Sequence, residues 1–214
     1  MTLRGIGSAL AGVAAVALVV GAGLMNPVPT APIGTDSLGP DGGELVVDYL
    51  DRAQATLSTV NGPTWALASF AAPLTADEVI AATPGIRVSE VLWRVPIDRV
   101  QTPLVSIGVP DNDVAIKQSP GAAATRLASM SGVDERQKMI AAASVRSLSE
   151  DCSCAVGVVV RGDAGDLAVL AANPAVRALE AMPVDGTPWR AAVRPLLPEY
   201  VDVVVPGPDD GPIP

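Results

Sequence analysis

"WALASFAAPLTADEVIAATPGIRVSEVL", Trp65 to Leu92, and "AVGVVVRGDAGDLAVLAANPAVRALEAM", Ala155 to Met182, align without gaps at an offset of ninety residues. Ala81, Ala82, Pro84, Arg87 and Glu90 match Ala171, Ala172, Pro174, Arg177 and Glu180; Val79 matches Val169 and Ile86 faces Val176. Each copy reads as an apolar strand, a short helix and a second strand. The helix must stop at Thr83-Pro84 or Asn173-Pro174, because proline lacks an N–H and biases the residue before it toward extended geometry. Two βαβ units with helices on one face of an antiparallel sheet predict an α+β, ferredoxin-like domain built on an internal repeat.

Working outward, the segment between the copies (residues 96–151) is an insertion. "TPLVSIGVP", Thr102 to Pro110, alternates enough for an additional or edge strand. "SPGAAATRLASM" predicts a helix with Ser119 as N-cap and Pro120 at its first position. Ser131 and Asp134 form a capping-box-like pair before "ERQKMIAAASVRSLS", giving two helices or one broken near Gly132. Before the first copy, Val46, Leu50, Ala53, Leu57 and Val60 recur at helical spacing, which predicts a helix packed on its own domain. The domain is read as 44–205, followed by a disordered tail, 206–214 ("PGPDDGPIP").

The first 43 residues set location. Gly5 to Met25 is free of charge for twenty-one positions, long enough for a hydrocarbon core of about 30 Å. Arg4 precedes it, and Asp36, Asp41, Glu44 and Asp48 follow before Arg52, so residues 1–4 are expected in the cytoplasm and the rest outside. The segment reads as a transmembrane signal anchor; a signal peptide cleaved near Val20-Gly21-Ala22, releasing a secreted protein, is the alternative. Residues 26–43, rich in proline and glycine, read as a stalk.

Composition narrows the chemistry. The net charge is −9 over 214 residues, and Lys117 and Lys138 are the two lysines, so no basic cluster exists to displace counterions from nucleic acid or to grip anionic lipid. There is no histidine, which removes Ser-His-Asp and Cys-His catalysis and most zinc or iron sites. No cofactor or metal is expected. No G-x-S-x-G elbow, Walker loop or dinucleotide fingerprint occurs.

The remaining candidates are few. Cys152 and Cys154, the two cysteines of the chain, flank Ser153 at the mouth of an apolar run. On an extended strand their Cβ atoms stand too far apart for a disulfide without a local turn. Two buried thiols, an intramolecular bridge in a turn, or bridges to other molecules all remain open. Asp111 and Asp113 resemble the start of a calcium loop but lack its glycine and distal glutamate, and read as a solvated turn. Arg87 with Glu90, and Arg177 with Glu180, read as surface ion pairs, available to pair across the copies. Trp65, Trp93 and Trp189 read as core aromatics.

The helix-Pro-Gly-Ile-x-Val pattern of Ala81 to Val91, and more loosely Ala171 to Glu180, resembles the inhibitory propeptide modules of subtilisin-like proteases, which implies a protease-inhibitor-like module. The protease that follows such modules is missing from this chain. The anchor, acidic stalk and doubled βαβ unit together resemble small uncharacterised single-pass membrane-anchored extracytoplasmic proteins of high-GC Gram-positive bacteria, a resemblance that brings no activity with it. The reading from sequence is a non-enzymatic interaction or regulatory module of the cell envelope, with a membrane contact through residues 5–25 and an envelope protein as partner. A thiol–disulfide redox protein acting through Cys152 and Cys154 is the alternative from a different class.

Overall fold

The apolar run after the cysteines becomes the middle of a sheet. The computed structural model describes residues 37–130, 134–183, 186 and 191–214. In chain order the elements are β1 (Ser37–Leu38), α1 (Val46–Leu57), β2 (Thr64–Leu74), α2 (Ala76–Ala82), β3 (Arg87–Trp93), β4 (Val105–Gly108), α3 (Asp113–Ala128), α4 (Glu135–Ser149), β5 (Ala155–Gly162), α5 (Ala164–Ala171), β6 (Val176–Ala181) and β7 (Ala192–Val193). Among the described residues this is a mixed α+β structure with five helices and a five-stranded antiparallel sheet in the order β4-β3-β5-β2-β6; β1 and β7 form a separate parallel pair.

Both copies fold as strand, helix, strand. Each helix starts at a full capping box: Thr75 with Glu78 for α2, Asp163 with Asp166 for α5. Such caps satisfy N–H groups that the first turn leaves open and contribute about 1 kcal/mol each. The two helix ends meet, since Asn173 Nδ2 donates to the Ala82 carbonyl at 3.0 Å. The caps are eighty-eight residues apart, not ninety, so the gapless alignment slips at the helix start. The copies have also diverged in burial: Val79 is fully buried, whereas Val169 is 69 % exposed.

β2 and β5 occupy the interior of the sheet and are covered on both faces. On the helical face, Ala66, Ala68 and Phe70 of β2 pack with Val158 and Val160 of β5, Val91 and Trp93 of β3, and Val79 and Leu167 from the helices. On the opposite face, Leu67, Leu92 and Val156 meet Leu38, Met182 and Leu197. β5 reaches both layers through a bulge: Trp93 pairs with Ala155 and Leu92 with Gly157, leaving Val156 between them. A strand buried on two faces needs a continuous apolar sequence, which "AVGVVV" supplies.

α1 lies against β6 with Val46, Tyr49 and Ala53 buried beside Ala178, Leu196 and Val204. The hydroxyl of Thr56 accepts the Ala181 N–H at 2.8 Å, so the helix occupies part of the outer edge of the sheet. At the other edge, the four-residue β4 receives Arg126, which donates to the Ser106 carbonyl at 3.0 Å. A short edge bearing a cation resists pairing with another chain.

Three local expectations are corrected. α3 begins six residues before Ser119, with Asn112 as its N-cap, and Pro120 lies inside the helix. The proline is tolerated because Ser119 replaces the missing donor: its hydroxyl donates to the Ile116 carbonyl at 2.7 Å and accepts the Trp93 indole N–H at 3.1 Å. α4 is capped by Asp134, which accepts from the Gln137 N–H; Ser131 and Gly132 lie outside the described residues. From Ser37 onward the expected stalk belongs to the domain, because β1 pairs with β7 and Leu38 is buried. Among the described residues no helix is long and apolar enough to cross a membrane, and Gly5 to Met25 lies outside them.

Candidate functional site: the cleft beside the C-terminal segment

Cys152 and Cys154 form a disulfide with their Cα atoms 5.3 Å apart. The strand starts at Ala155, so the pair sits in the turn before it, where Asp151 adopts a left-handed φ of 57°. That turn supplies the local geometry that extended backbone lacks. Cys154 is buried in the helical-face core, while Cys152 remains half-buried at the surface. Glu150 and Asp151 are exposed beside it.

The repeated Arg/Glu positions do not form the surface ion pairs expected, either within or across the copies. Arg87 lies on the surface near Ser89, and Glu90 accepts from the Ser106 hydroxyl at 2.5 Å. Arg177 donates to the carbonyls of Leu197, Pro198 and Tyr200, pinning the C-terminal segment to the sheet. Glu180 is 4 % exposed and collects three donors: Gly39 N–H at 2.6 Å, Arg52 Nη1 at 2.7 Å and Tyr49 Oη at 3.3 Å. Desolvation pushes the Glu180 carboxyl above its ordinary range, against the pull of Gly39 and Arg52. Arg52 also binds Glu44, holding that carboxyl below its usual value, and its guanidinium lies 5.2 Å from the Tyr49 ring centre.

Gly39 completes this clamp because no other residue fits. Its φ is +110°, and a Cβ there would lie 1.6 Å from the Arg194 carbonyl oxygen. The cluster therefore ties the N-terminal approach, α1 and β6 together, and its carboxylate is saturated by donors. It is a structural lock with no open position for a substrate.

A concavity lies between the loop after β3 (residues 94–102) and residues 197–208. This open cleft has a volume of about 780 Å³, within the range of small-molecule sites. Leu197, Tyr200, Val203 and Val205 give it apolar walls. Arg94 crosses its floor, ion-paired with Glu199 and donating from Nε to the Thr102 carbonyl at 3.3 Å. The Thr102 hydroxyl is committed to the Val95 carbonyl at 2.6 Å.

Residues 206–214, expected to be disordered, are docked beside the cleft. Arg99 grips Asp210 in a two-point contact, with Nε to Oδ1 at 2.8 Å and Nη2 to Oδ2 at 2.5 Å. Asp209 accepts from the Gln101 N–H at 3.0 Å and from Arg136 at 3.3 Å. Arg146 donates to the Pro214 carbonyl at 2.7 Å. The expectation failed because it counted only apolar burial, and this segment is held by polar partners.

Asp111 and Asp113 flank the α3 cap as exposed groups, and among the described residues no three His, Cys, Asp or Glu side chains are arranged to hold a metal. Trp93 is fully buried; Trp65 is half-buried beneath Arg161, whose guanidinium lies 5.5 Å from the ring centre; Trp189 lies outside the described residues. Sequence reasoning missed the Glu180 clamp, although one signal was present: an acid inside the apolar run "VRALEAM" needs buried partners. It also missed Arg99, Arg136 and Arg146, which no spacing connects. No protein-family model matches the chain, and neither curated proteins nor solved structures give a significant match.

Proposed function

We propose that the chain is a membrane-anchored extracytoplasmic protein whose folded part is a non-enzymatic interaction module of the cell envelope, using the cleft between residues 94–102 and 197–208. The observation that carries the location is the Cys152–Cys154 disulfide, since such bridges persist in oxidising compartments. The uncharged run Gly5 to Met25, read as an anchor with the N-terminus inside, agrees with it. The binding role is supported by apolar walls from Leu197, Tyr200, Val203 and Val205 around arginines already paired internally. We read the sheet as ferredoxin-like: omitting β4, the strand order β3-β5-β2-β6 places the first strand of each copy at the centre and leaves β2 and β3 parallel around β5.

The test is site-specific crosslinking in intact cells that make the protein. A photo-crosslinking amino acid at Val205, which is exposed in the cleft wall, is compared with one at Val169, exposed on α5. A discrete adduct from position 205 and none from 169 supports the reading; no adduct, or equal adducts from both, sinks it.

One observation favours a second reading, thiol–disulfide exchange. The bridge spans only three residues in a surface turn, with Cys152 half-buried and within reach of an attacking thiolate. Reduction of the folded protein by millimolar glutathione supports that reading, and resistance to it removes the reading.

A further inference from the structure

The segment Gly207 to Pro214 is bound as a ligand would be. Asp210 meets Arg99, Asp209 meets Gln101 and Arg136, and Gly211 exchanges backbone contacts with the same two arginines: its N–H donates to the Arg99 carbonyl at 2.8 Å and its carbonyl accepts from Arg136 at 3.1 Å. Gly211 is also required sterically, because a Cβ there would lie 2.3 Å from the Asp98 carbonyl oxygen. Arg99 itself holds a left-handed φ of 53°, an uncommon state for a side-chain-bearing residue.

The receiving surface has the length of an extended peptide. Arg136 and Arg146 are ten residues apart on α4, about 15 Å along the helix axis. The six residues Asp209 to Pro214, five steps of about 3.3 Å when extended, can span about 16 Å. The chain carries 14 Lys and Arg against 23 Asp and Glu, yet three of its arginines converge here. The contacts lie at the surface: the side chains of Arg99 and Asp210 are 52 % and 65 % exposed. Such ion pairs hold weakly and exchange with solvent. Among the described residues, Arg136 Nε is the one buried side-chain polar atom without a hydrogen-bond partner, a donor that the present occupant leaves unused.

We propose that Arg99, Gln101, Arg136 and Arg146 form an acceptor groove for an extended acidic peptide with an Asp-Asp-Gly core, and that the chain's own residues 207–214 fill it in cis as a displaceable stand-in for a partner protein's segment. This rests on the reading of the domain as an interaction module and names the partner chemistry for one side of it. The cis segment also supplies part of the cleft wall through Gly207 and Pro208, so exchanging it for a partner reshapes the cleft.

The test uses the full chain in detergent and a fluorescent peptide of sequence GPDDGPIP, residues 207–214. In the wild type the tethered segment competes with the peptide. Gly211→Val forces the segment out by collision with the Asp98 carbonyl and leaves every charge in place. The expected result is 1:1 peptide binding to G211V at least tenfold tighter than to wild type, lost by at least tenfold when Arg99→Asn is added or when both peptide aspartates are replaced by asparagine. If G211V fails to fold, Asp209→Asn with Asp210→Asn in the full chain serves the same purpose, with the same expectation. Binding no tighter than to wild type, or equal binding of the asparagine peptide, overturns the proposal and makes residues 207–214 a fixed part of the fold. A Val205 adduct in cells combined with no peptide binding overturns this inference alone, whereas peptide binding without any adduct counts against the broader reading alone.

Discussion

Ser119→Ala should be far more damaging than the loss of one hydroxyl suggests. In wild type the Ile116 carbonyl has no partner four residues on, because Pro120 lacks an N–H, and the Ser119 hydroxyl is its donor at 2.7 Å. The same oxygen accepts the Trp93 indole N–H at 3.1 Å. Trp93 is fully buried and Ser119 is 1 % exposed, so water cannot replace either bond. Alanine at 119 therefore strands two polar groups at about 1–3 kcal/mol each, and we expect a loss of about 3 kcal/mol. For a domain of this size that corresponds to a fall in Tm of about 6–12 °C. The assay is urea and thermal unfolding of the full chain in detergent, followed by tryptophan fluorescence. Pro120→Ala supplies the control: it restores an N–H for Ile116, so S119A/P120A should recover about half of the loss, only the indole remaining unpaired. A S119A variant within 0.5 kcal/mol of wild type, or a double variant no better than S119A, would refute the reasoning.

Arg52→Met should cost about 3 kcal/mol, the low end for breaking a buried pair because Arg52 is itself partly exposed. Burial already raises the Glu180 pKa from 4.5, and removing Arg52 raises it further. The folded state then binds the proton more tightly than the unfolded chain, so the R52M penalty should shrink as pH falls from 7 to 5; an equal penalty at both pH values would contradict the clamp. Cys152→Ala with Cys154→Ala removes a loop of three residues, whose closure entropy is worth at most about 1.6 kcal/mol. Unfolding measurements should show that small loss with the fold retained, and loss of folding would make the bridge a major staple. Asp209 and Asp210 have pKa values held below 3.8, the first by the Gln101 N–H and the second by Arg99. The contribution of their contacts is complete above that value and is lost as pH falls through the depressed ones. Hydrogen exchange at the Gly211 amide, which is bonded to Arg99, should be slow at pH 6 and approach the free-peptide rate near pH 2; equal protection at both would contradict an electrostatic latch.

The secondary-structure plan was legible because it rests on patterns that physics enforces locally. Proline after Thr83 and Asn173 ends two helices, and "AVGVVV" has no charge to place in water, so it sits at the centre of the sheet. What escaped depends on contacts between distant residues. Ser119-Pro120 has the local signature of a helix start, but Asn112 caps earlier and Trp93 gives the serine another use. Arg177 and Glu180 look like exposed charges on a strand until α1 and the C-terminal segment cover that face. The acidic tail carries one aliphatic side chain, Ile213, too little to announce its docking, and its three arginines come from a loop and a helix far away in sequence. The cysteines were legible as a pair that needed a turn, and Asp151 supplies it.

An anchored domain facing an oxidising space is the proposal from which the others follow. It is tested most directly by the intact mass of the full chain, extracted from membranes and alkylated without reductant. The expected mass includes Gly5 to Met25, with neither Cys152 nor Cys154 alkylated even after denaturation. Two alkylated thiols would contradict the extracytoplasmic, oxidised domain, and a mass lacking the first residues through Ala22 would contradict the anchor.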